Sequence, residues 1–285
     1  MKLKHRIARP FLQGYFNLHY RWFYKFYREG VAQKPLEAGQ QAALEALRRD
    51  GIVMSQIPSS DLAEMQAHMR GLELNAPHTT KPFLQYMYDT LPVYNLDDPI
   101  HAYMQRWQTL ADHYLETKGH ISYLMLNRTN PVRKGSPWVA SQRWHRDADD
   151  RQVLRLFIYL NDVDETSGPF MYIRGSQCGG RNWKKFPQHP PLGKYLANDV
   201  AQHFNKNDVV VCAGKAGTLI LADAAGLHRG GYATEKERIM FQGGWLTAAS
   251  PTIGRIKGGR RPGRVLAKIY RAYKKCYQNE KYEML

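Results

Sequence analysis

The residues with most chemistry in them are Ser141-Gln142-Arg143-Trp144-His145-Arg146-Asp147. In an extended strand, side chains two apart share a face. His145 and Asp147 therefore project together, and Arg146 turns away. One imidazole nitrogen and one carboxylate oxygen are two-thirds of a 2-His-1-carboxylate set. That ligand type suits non-heme Fe(II) and leaves coordination positions open. The missing histidine has to come from a distant strand that folds back alongside. His228, in Ala225-Gly226-Leu227-His228-Arg229-Gly230-Gly231, is the best candidate. Ten residues later stands Arg238, whose guanidinium suits a carboxylate better than a lysine would. Of eleven histidines, only His145 is followed at the second position by an acid. The plainer alternative is a strand-edge histidine beside a solvated aspartate, so the elements around the motif have to decide.

From residue 120 onward the pattern is that of strands. Ile121–Leu126 is one, and Arg143–Asp147 lies on or just after the next. Val153–Leu160 is a nearly continuous β run, and Phe170–Ile173, Val209–Cys212, Thr218–Ala222 and Arg238–Leu246 follow. A long insertion at 177–206 separates the strands, carrying Arg181, Trp183, Lys184 and Lys185. Before residue 120 the pattern is helical. Ile7, Phe11, Tyr15, Leu18, Trp22 and Phe26 recur at steps of three and four, marking an amphipathic helix over 7–28. A second helix over about 37–49 ends at Asp50-Gly51, and Ile52-Val53-Met54 reads as a short strand. Ser59-Ser60-Asp61 reads as the cap of a helix running to about 71. The stretch 75–99, with Pro77, Pro82, Pro92 and Pro99, reads as loop, and a helix over 99–117 follows. The tail, about 262–283, reads as a basic helix. Many short strands after a helical first third give an α+β chain with a mainly β core, a sandwich or jelly roll under covering helices. The division expected is a basic aromatic segment 1–34, a domain 35–250 and a basic tail 251–285.

Composition narrows the function classes. With 43% apolar residues in 285, the chain can bury a sizeable core. Cys178, Cys212 and Cys276 form no C-x-x-C pair, which argues against a disulfide framework and for a reducing compartment such as the cytoplasm. No apolar window is long enough to span a bilayer, and no apolar stretch follows the basic N-terminus as a secretory signal requires. Residues 1–34 hold eight Lys/Arg against one acid, and 251–285 hold ten against two, so the ends carry nearly all of the net +16. That distribution argues against a nucleic-acid groove across the core and for ends that touch something anionic, such as a membrane surface. Two readings of 7–28 stay open: a helix lying in a membrane interface, or a helix packed on the domain with its cations solvated.

Several motifs fall in one order. Asp50-Gly51-Ile52-Val53 comes first, then Trp144-His145-Arg146-Asp147, then Leu156-Phe157-Ile158-Tyr159-Leu160-Asn161-Asp162-Val163. Ser167-Gly168-Pro169-Phe170 runs into Gly175-Ser176, and Ala216 to Asp223, His228 and Arg238 close the series. Over about residues 45–247 this order resembles the phytanoyl-CoA dioxygenase family of Fe(II)/2-oxoglutarate-dependent oxygenases. The resemblance implies a double-stranded β-helix, iron on His145, Asp147 and His228, and the 2-oxoglutarate C5 carboxylate on Arg238. It implies a reaction in which substrate, 2-oxoglutarate and O2 become oxidised substrate, succinate and CO2. Relatives that halogenate lack the carboxylate ligand, so Asp147 points to hydroxylation or a related oxidation. Tyr123, Asn127 and Thr218 are further candidates for polar contacts with the cosubstrate, although strand residues facing a polar interior look the same in sequence. The position two after the distal histidine, often a small hydroxyl residue in the family, is Gly230 here. The substrate expected is a small, lipid-like or anionic molecule. The loops Arg133–Trp138 and Arg181–Lys185 are expected to flank the mouth, since both mix cations with tryptophan. The competing readings are a catalytically silent metal-binding scaffold and a lipid- or RNA-binding protein working through its basic ends.

Overall fold

A computed structural model describes residues 14–15, 17–22, 34–72, 81, 83–90, 99–186, 195–250 and 253. Residues 14–15 and 17–22 are helical, within the helix expected over 7–28. The tail helix expected at 262–283 lies outside the described residues. Helix α1, Ala38–Asp50, buries Ala43, Leu44 and Leu47 along one stripe. Gly51 stops it in the left-handed conformation at φ 77°, its N–H donating to the Leu47 carbonyl. The chain turns directly into β1, Ile52–Gln56.

Helix α2 runs from Ser59 to Arg70, but its expected hydroxyl cap is not used. Pro58 takes the cap position, Ser59 lies inside the helix, and no side chain caps the first turn. The Asp61 carboxylate is instead drawn to Arg106, at 2.8 Å. The single helix expected over 99–117 is two, α3 (Pro99–Arg106) and α4 (Gln108–Leu115), parted at Trp107 with φ −97° and ψ 0°. Within the proline-rich stretch that reads as loop lies a strand, β2, Leu84–Thr90. Pro82 and Pro92 fall outside it, and β2 is an edge strand, where a broken ladder is tolerated.

The remaining strands are β3 (His120–Thr129), β4 (Leu154–Tyr159), β5 (Phe170–Ile173), β6 (Val209–Cys212), β7 (Thr218–Asp223), β8 (His228–Gly230) and β9 (Arg238–Leu246). Six form one antiparallel sheet in the order β1-β7-β4-β9-β3-β2, and three form a second in the order β6-β5-β8. This is a jelly roll with covering helices, α+β and mainly β. Leu154, Leu156 and Ile158 of β4, Leu124 and Leu126 of β3, and Ile239 and Phe241 of β9 pack with Leu44, Leu47, Met104 and Leu110 of the helices. The alternate residues on those strands face the other sheet, where Phe157, Tyr159 and Met240 meet Phe170 and Tyr172. Where that interior is left unfilled, it opens as a cavity.

Candidate metal centre and cosubstrate cavity

His145 does not sit within a long strand. Residues Ala140–Gln142 form a 3-10 turn, and His145 then makes a single antiparallel bridge to His228. Its N–H donates to the His228 carbonyl at 2.9 Å, and the His228 N–H returns to the His145 carbonyl at 3.0 Å. Those two bonds set the rings side by side, with centroids 4.2 Å apart. Asp147 is fixed by its own N–H, which donates to the Ala224 carbonyl at 2.8 Å. One bridge to the first residue of β8 and one bond from Asp147 to Ala224 are thus enough to align the motif.

Both imidazoles are oriented by backbone. His145 donates from Nδ1 to the Arg143 carbonyl at 2.8 Å, and His228 from Nδ1 to the Gly226 carbonyl at 3.0 Å. A ring that donates from Nδ1 presents a lone pair at Nε2. The two Nε2 atoms lie 3.7 and 3.8 Å from Asp147 Oδ1, too far for a hydrogen bond. The three candidate ligand atoms lie within 4.8 Å of one another. Three lone pairs thus converge with no proton between them, an arrangement that a cation satisfies. Burial, then the neighbouring His228, pushes His145 down to about 3, and burial also lowers His228, so both rings are neutral and ready to ligate. Burial alone would raise Asp147, but the Arg155 charge and its hydrogen bonds hold it well below the usual carboxylate range.

Asp147 Oδ2 is taken up separately. It accepts from Arg155 Nε at 3.1 Å and Nη2 at 2.7 Å, and Nη2 also reaches Asp149 at 3.1 Å. Arg155 is the lone charge in the apolar run Val153–Leu160, a signal from which sequence reasoning could have drawn this partner.

The site opens into a cavity of about 380 Å³. Alternation on paired strands lines it: Met125, Asn127 and Thr129 from β3, and Arg238, Met240 and Gln242 from β9. Thr129 lies opposite Arg238 in the register, and Arg238 Nη2 donates to its hydroxyl at 3.2 Å. Arg238 Nη1 donates to the Gly168 carbonyl. The guanidinium is buried, and among the described residues no carboxylate pairs with it. Asn127 is 1% exposed, and neither its amide oxygen nor its amide nitrogen has a protein partner. A buried cation without a counter-ion and a buried amide without partners line one cavity, which is therefore built for a polar, anionic guest.

The structure thus brings together His145, Asp147, His228, Asn127 and Arg238. Tyr123 has its backbone in β3, opposite Gly244, and its side chain lies outside the described residues. Thr218 is not at the cavity: it starts β7 opposite Gln56, and its hydroxyl donates to the Lys215 carbonyl at 2.7 Å. The two loops expected at the mouth do not line it either. Arg181 is held by Asp50 and Asp208, Trp183 lies under the Arg146 guanidinium, and Trp138 packs against Tyr232 and Arg229. Lys81, Phe83, Tyr86, Gln142, Asp149 and Tyr195 line the cavity in their place.

The sequence profile of the phytanoyl-CoA dioxygenase family matches residues 43–240. The chain belongs to the phytanoyl-CoA dioxygenase family. No curated protein matches the chain. Among solved structures, the epimerase SnoN, in complex with Fe3+, alpha ketoglutarate and nogalamycin RO, is similar at 18% identity. The match has a TM-score of 0.53 and covers 75% of this chain and 87% of that one. EctD from S. alaskensis with bound Fe is similar at 17% identity and TM-score 0.51, covering 78% and 80%. The alpha ketoglutarate dependent carbocyclase SnoK from nogalamycin biosynthesis is similar at 14% identity and TM-score 0.51, covering 76% and 87%. These likenesses show a shared fold.

Proposed function

We propose that this member of the family is an Fe(II)/2-oxoglutarate-dependent dioxygenase that hydroxylates a small, lipid-like or anionic molecule, releasing succinate and CO2. The observation that carries the reading is the convergence of two inward Nε2 lone pairs and Asp147 Oδ1 in the cavity that holds the uncompensated Arg238. A ferrous ion held by those three atoms supplies activation of O2 coupled to oxidation of the cosubstrate. His145 and His228 hold it as neutral ligands, and Asp147 supplies the one negative charge. Arg238 takes the C5 carboxylate with its fork of donors, and Asn127 supplies an amide to the same guest. Phe157, Phe170 and Met240 give the cavity an apolar wall that limits water. The domain proposed to hold this machinery is 35–250, between the two basic ends.

SnoN is named an epimerase and SnoK a carbocyclase, so the fold hosts reactions other than hydroxylation, and product analysis separates them. The first test is anaerobic titration of the chain with Fe(II) and then 2-oxoglutarate. A visible charge-transfer band is expected, and it is expected to vanish in His145→Ala and His228→Ala. No band in the wild type, or an undiminished band in both variants, rejects the assignment. A band without succinate formation in air would favour the silent metal-binding alternative.

A further inference from the structure

The two basic ends of the chain are tethered at one place on the domain. The described part of the N-terminal helix is pinned by His19, whose Nε2 donates to the Ala249 carbonyl at 3.2 Å, and by Tyr20, which is buried. Ala249 follows β9, and Ile253 just beyond it is buried in a cluster with Leu246. Ala249, just after β9, therefore lies against the described part of that helix. Eighteen Lys/Arg lie in residues 1–34 and 251–285 against three acids.

The outward side of the same helix is apolar. Tyr15, Leu18 and Trp22 are 38%, 65% and 49% exposed, and spacings of three and four place them on one side. Among the described residues six large hydrophobics are this exposed, and these are three of the six, so the exposure is concentrated rather than scattered. Arg21 beside them is exposed as well. The place also abuts the cavity. Ser250 donates its hydroxyl to the Asp149 carbonyl at 2.6 Å, and both Asp149 and Leu246 line the cavity.

We propose that this face docks on an anionic lipid bilayer, with Tyr15, Leu18 and Trp22 entering the interface, Arg21 meeting the headgroups, and the basic sequence of the two ends drawing the chain to the negative surface. An apolar, aromatic helix side with Arg21 beside it, in a strongly basic segment, matches what a bilayer surface offers, a negative plane above an apolar phase. A nucleic acid supplies the phosphates but no phase for Leu18 and Trp22. A second copy of the chain brings like charge against like. Docking here sets the Asp149 rim of the cavity next to the membrane, which favours amphipathic substrates resident in it. The docking face stands independently of the oxygenase reading.

The full chain is tested by co-sedimentation with vesicles of phosphatidylcholine alone and with phosphatidylglycerol added. Binding is expected only to the anionic vesicles. It is expected to disappear between 0.1 and 1 M salt, as the Debye length falls from about 10 Å to about 3 Å. Leu18→Ala with Trp22→Ala is expected to weaken partition about tenfold or more, and Arg21→Glu to weaken it about fivefold or more. Both variants are expected to keep the Fe(II)/2-oxoglutarate band, which shows that the domain is intact and keeps this test separate from that of the oxygenase reading. No binding to anionic vesicles, equal binding to neutral ones, or undiminished binding by the double variant overturns the proposal.

Discussion

Asp147 divides its two oxygens between two tasks. Oδ1 faces the histidines, and Oδ2 is held by the Arg155 fork at 2.7 and 3.1 Å. Arg155 is therefore a positioning residue, leaving a single carboxylate oxygen for the metal. Replacing such an outer partner costs about 10–100-fold in metal affinity, so Arg155→Gln is expected to weaken Fe(II) binding by that much. Arg155→Lys should recover part of it through charge, without the fork. Affinities read from the charge-transfer band decide this, and an unchanged iron constant in Arg155→Gln would show that Asp147 orients itself. At the other end of the cavity, Arg238→Ala is expected to raise the apparent 2-oxoglutarate constant about 30-fold or more, since a buried charge pair costs roughly 2–5 kcal/mol to break. Gly230 permits the opposite change. A Cβ there would meet Ser141 O at 3.6 Å and Arg238 Nη2 at 3.7 Å, ordinary contact distances. Gly230→Ser therefore sets a hydroxyl beside the guanidinium. One added hydrogen bond of about 1 kcal/mol predicts a 2-oxoglutarate constant about fivefold lower, measured by the same titration.

The elements that place Arg238 cross with no room for a side chain. A Cβ on Gly231 would stand 2.4 Å from the Gly168 carbonyl carbon and the Pro169 oxygen, both backbone atoms that cannot swing aside. Gly168 itself has φ 67°, and its carbonyl accepts from Arg238. Gly231→Ala is thus expected to cost roughly 1–3 kcal/mol of stability and to weaken 2-oxoglutarate binding as well. A thermal melt and a titration on the same sample check both, and a melt unchanged from wild type would mean the crossing is looser than its distances imply. This crossing also marks where sequence reading stops. His145 and Asp147 were legible as a pair because alternation in extended chain puts them on one face, and the order of the motifs pointed to His228 and Arg238, whereas Asn127 was one of three strand residues that the sequence did not separate; β5, β6 and β9 were legible as strands. Thr218 was misplaced because a threonine at a strand start uses its hydroxyl on its own turn, and type alone does not reveal that. The loops at 133–138 and 181–185 read as a mouth for their cations and tryptophans, yet Arg181 is spent on Asp50 and Asp208, and Trp138 and Trp183 are covered by the guanidinium groups of Arg229 and Arg146. Such pairings are long-range and leave no local pattern. The strand β2, bounded by prolines and broken by a bulge between Tyr86 and Tyr88, hides its alternation for the same reason.

For the whole molecule, the segment after the metal motif is also what joins the last strand to the site. Asp150 is fully buried. Its Oδ2 accepts from Thr247 N at 2.8 Å and Thr247 Oγ1 at 2.7 Å, and its Oδ1 serves elsewhere in the same turn. Burial pushes this carboxyl up to about 7 against the pull of those donors, with the charge of Asp149 adding to the rise. The sign follows from linkage. A folded-state pKa above the unfolded value of about 3.9 means that the native protein binds the proton more tightly than the unfolded chain. Its stabilising contribution is therefore complete below about pH 4, declines as pH rises toward 7, and is gone above it. The slope cannot exceed about 1.4 kcal/mol per pH unit. Asp150→Asn removes the titration while keeping one acceptor for Thr247. The variant is expected to be less stable at pH 5, where the protonated carboxyl serves best, and to show a flatter melting temperature between pH 5 and 8 than the wild type. Melts of both proteins across that window make the comparison, with all other titrating groups cancelling in the difference. Parallel curves would place the Asp150 proton on the same footing in both states, and the buried turn between the proposed iron ligands and β9 would then be open to water.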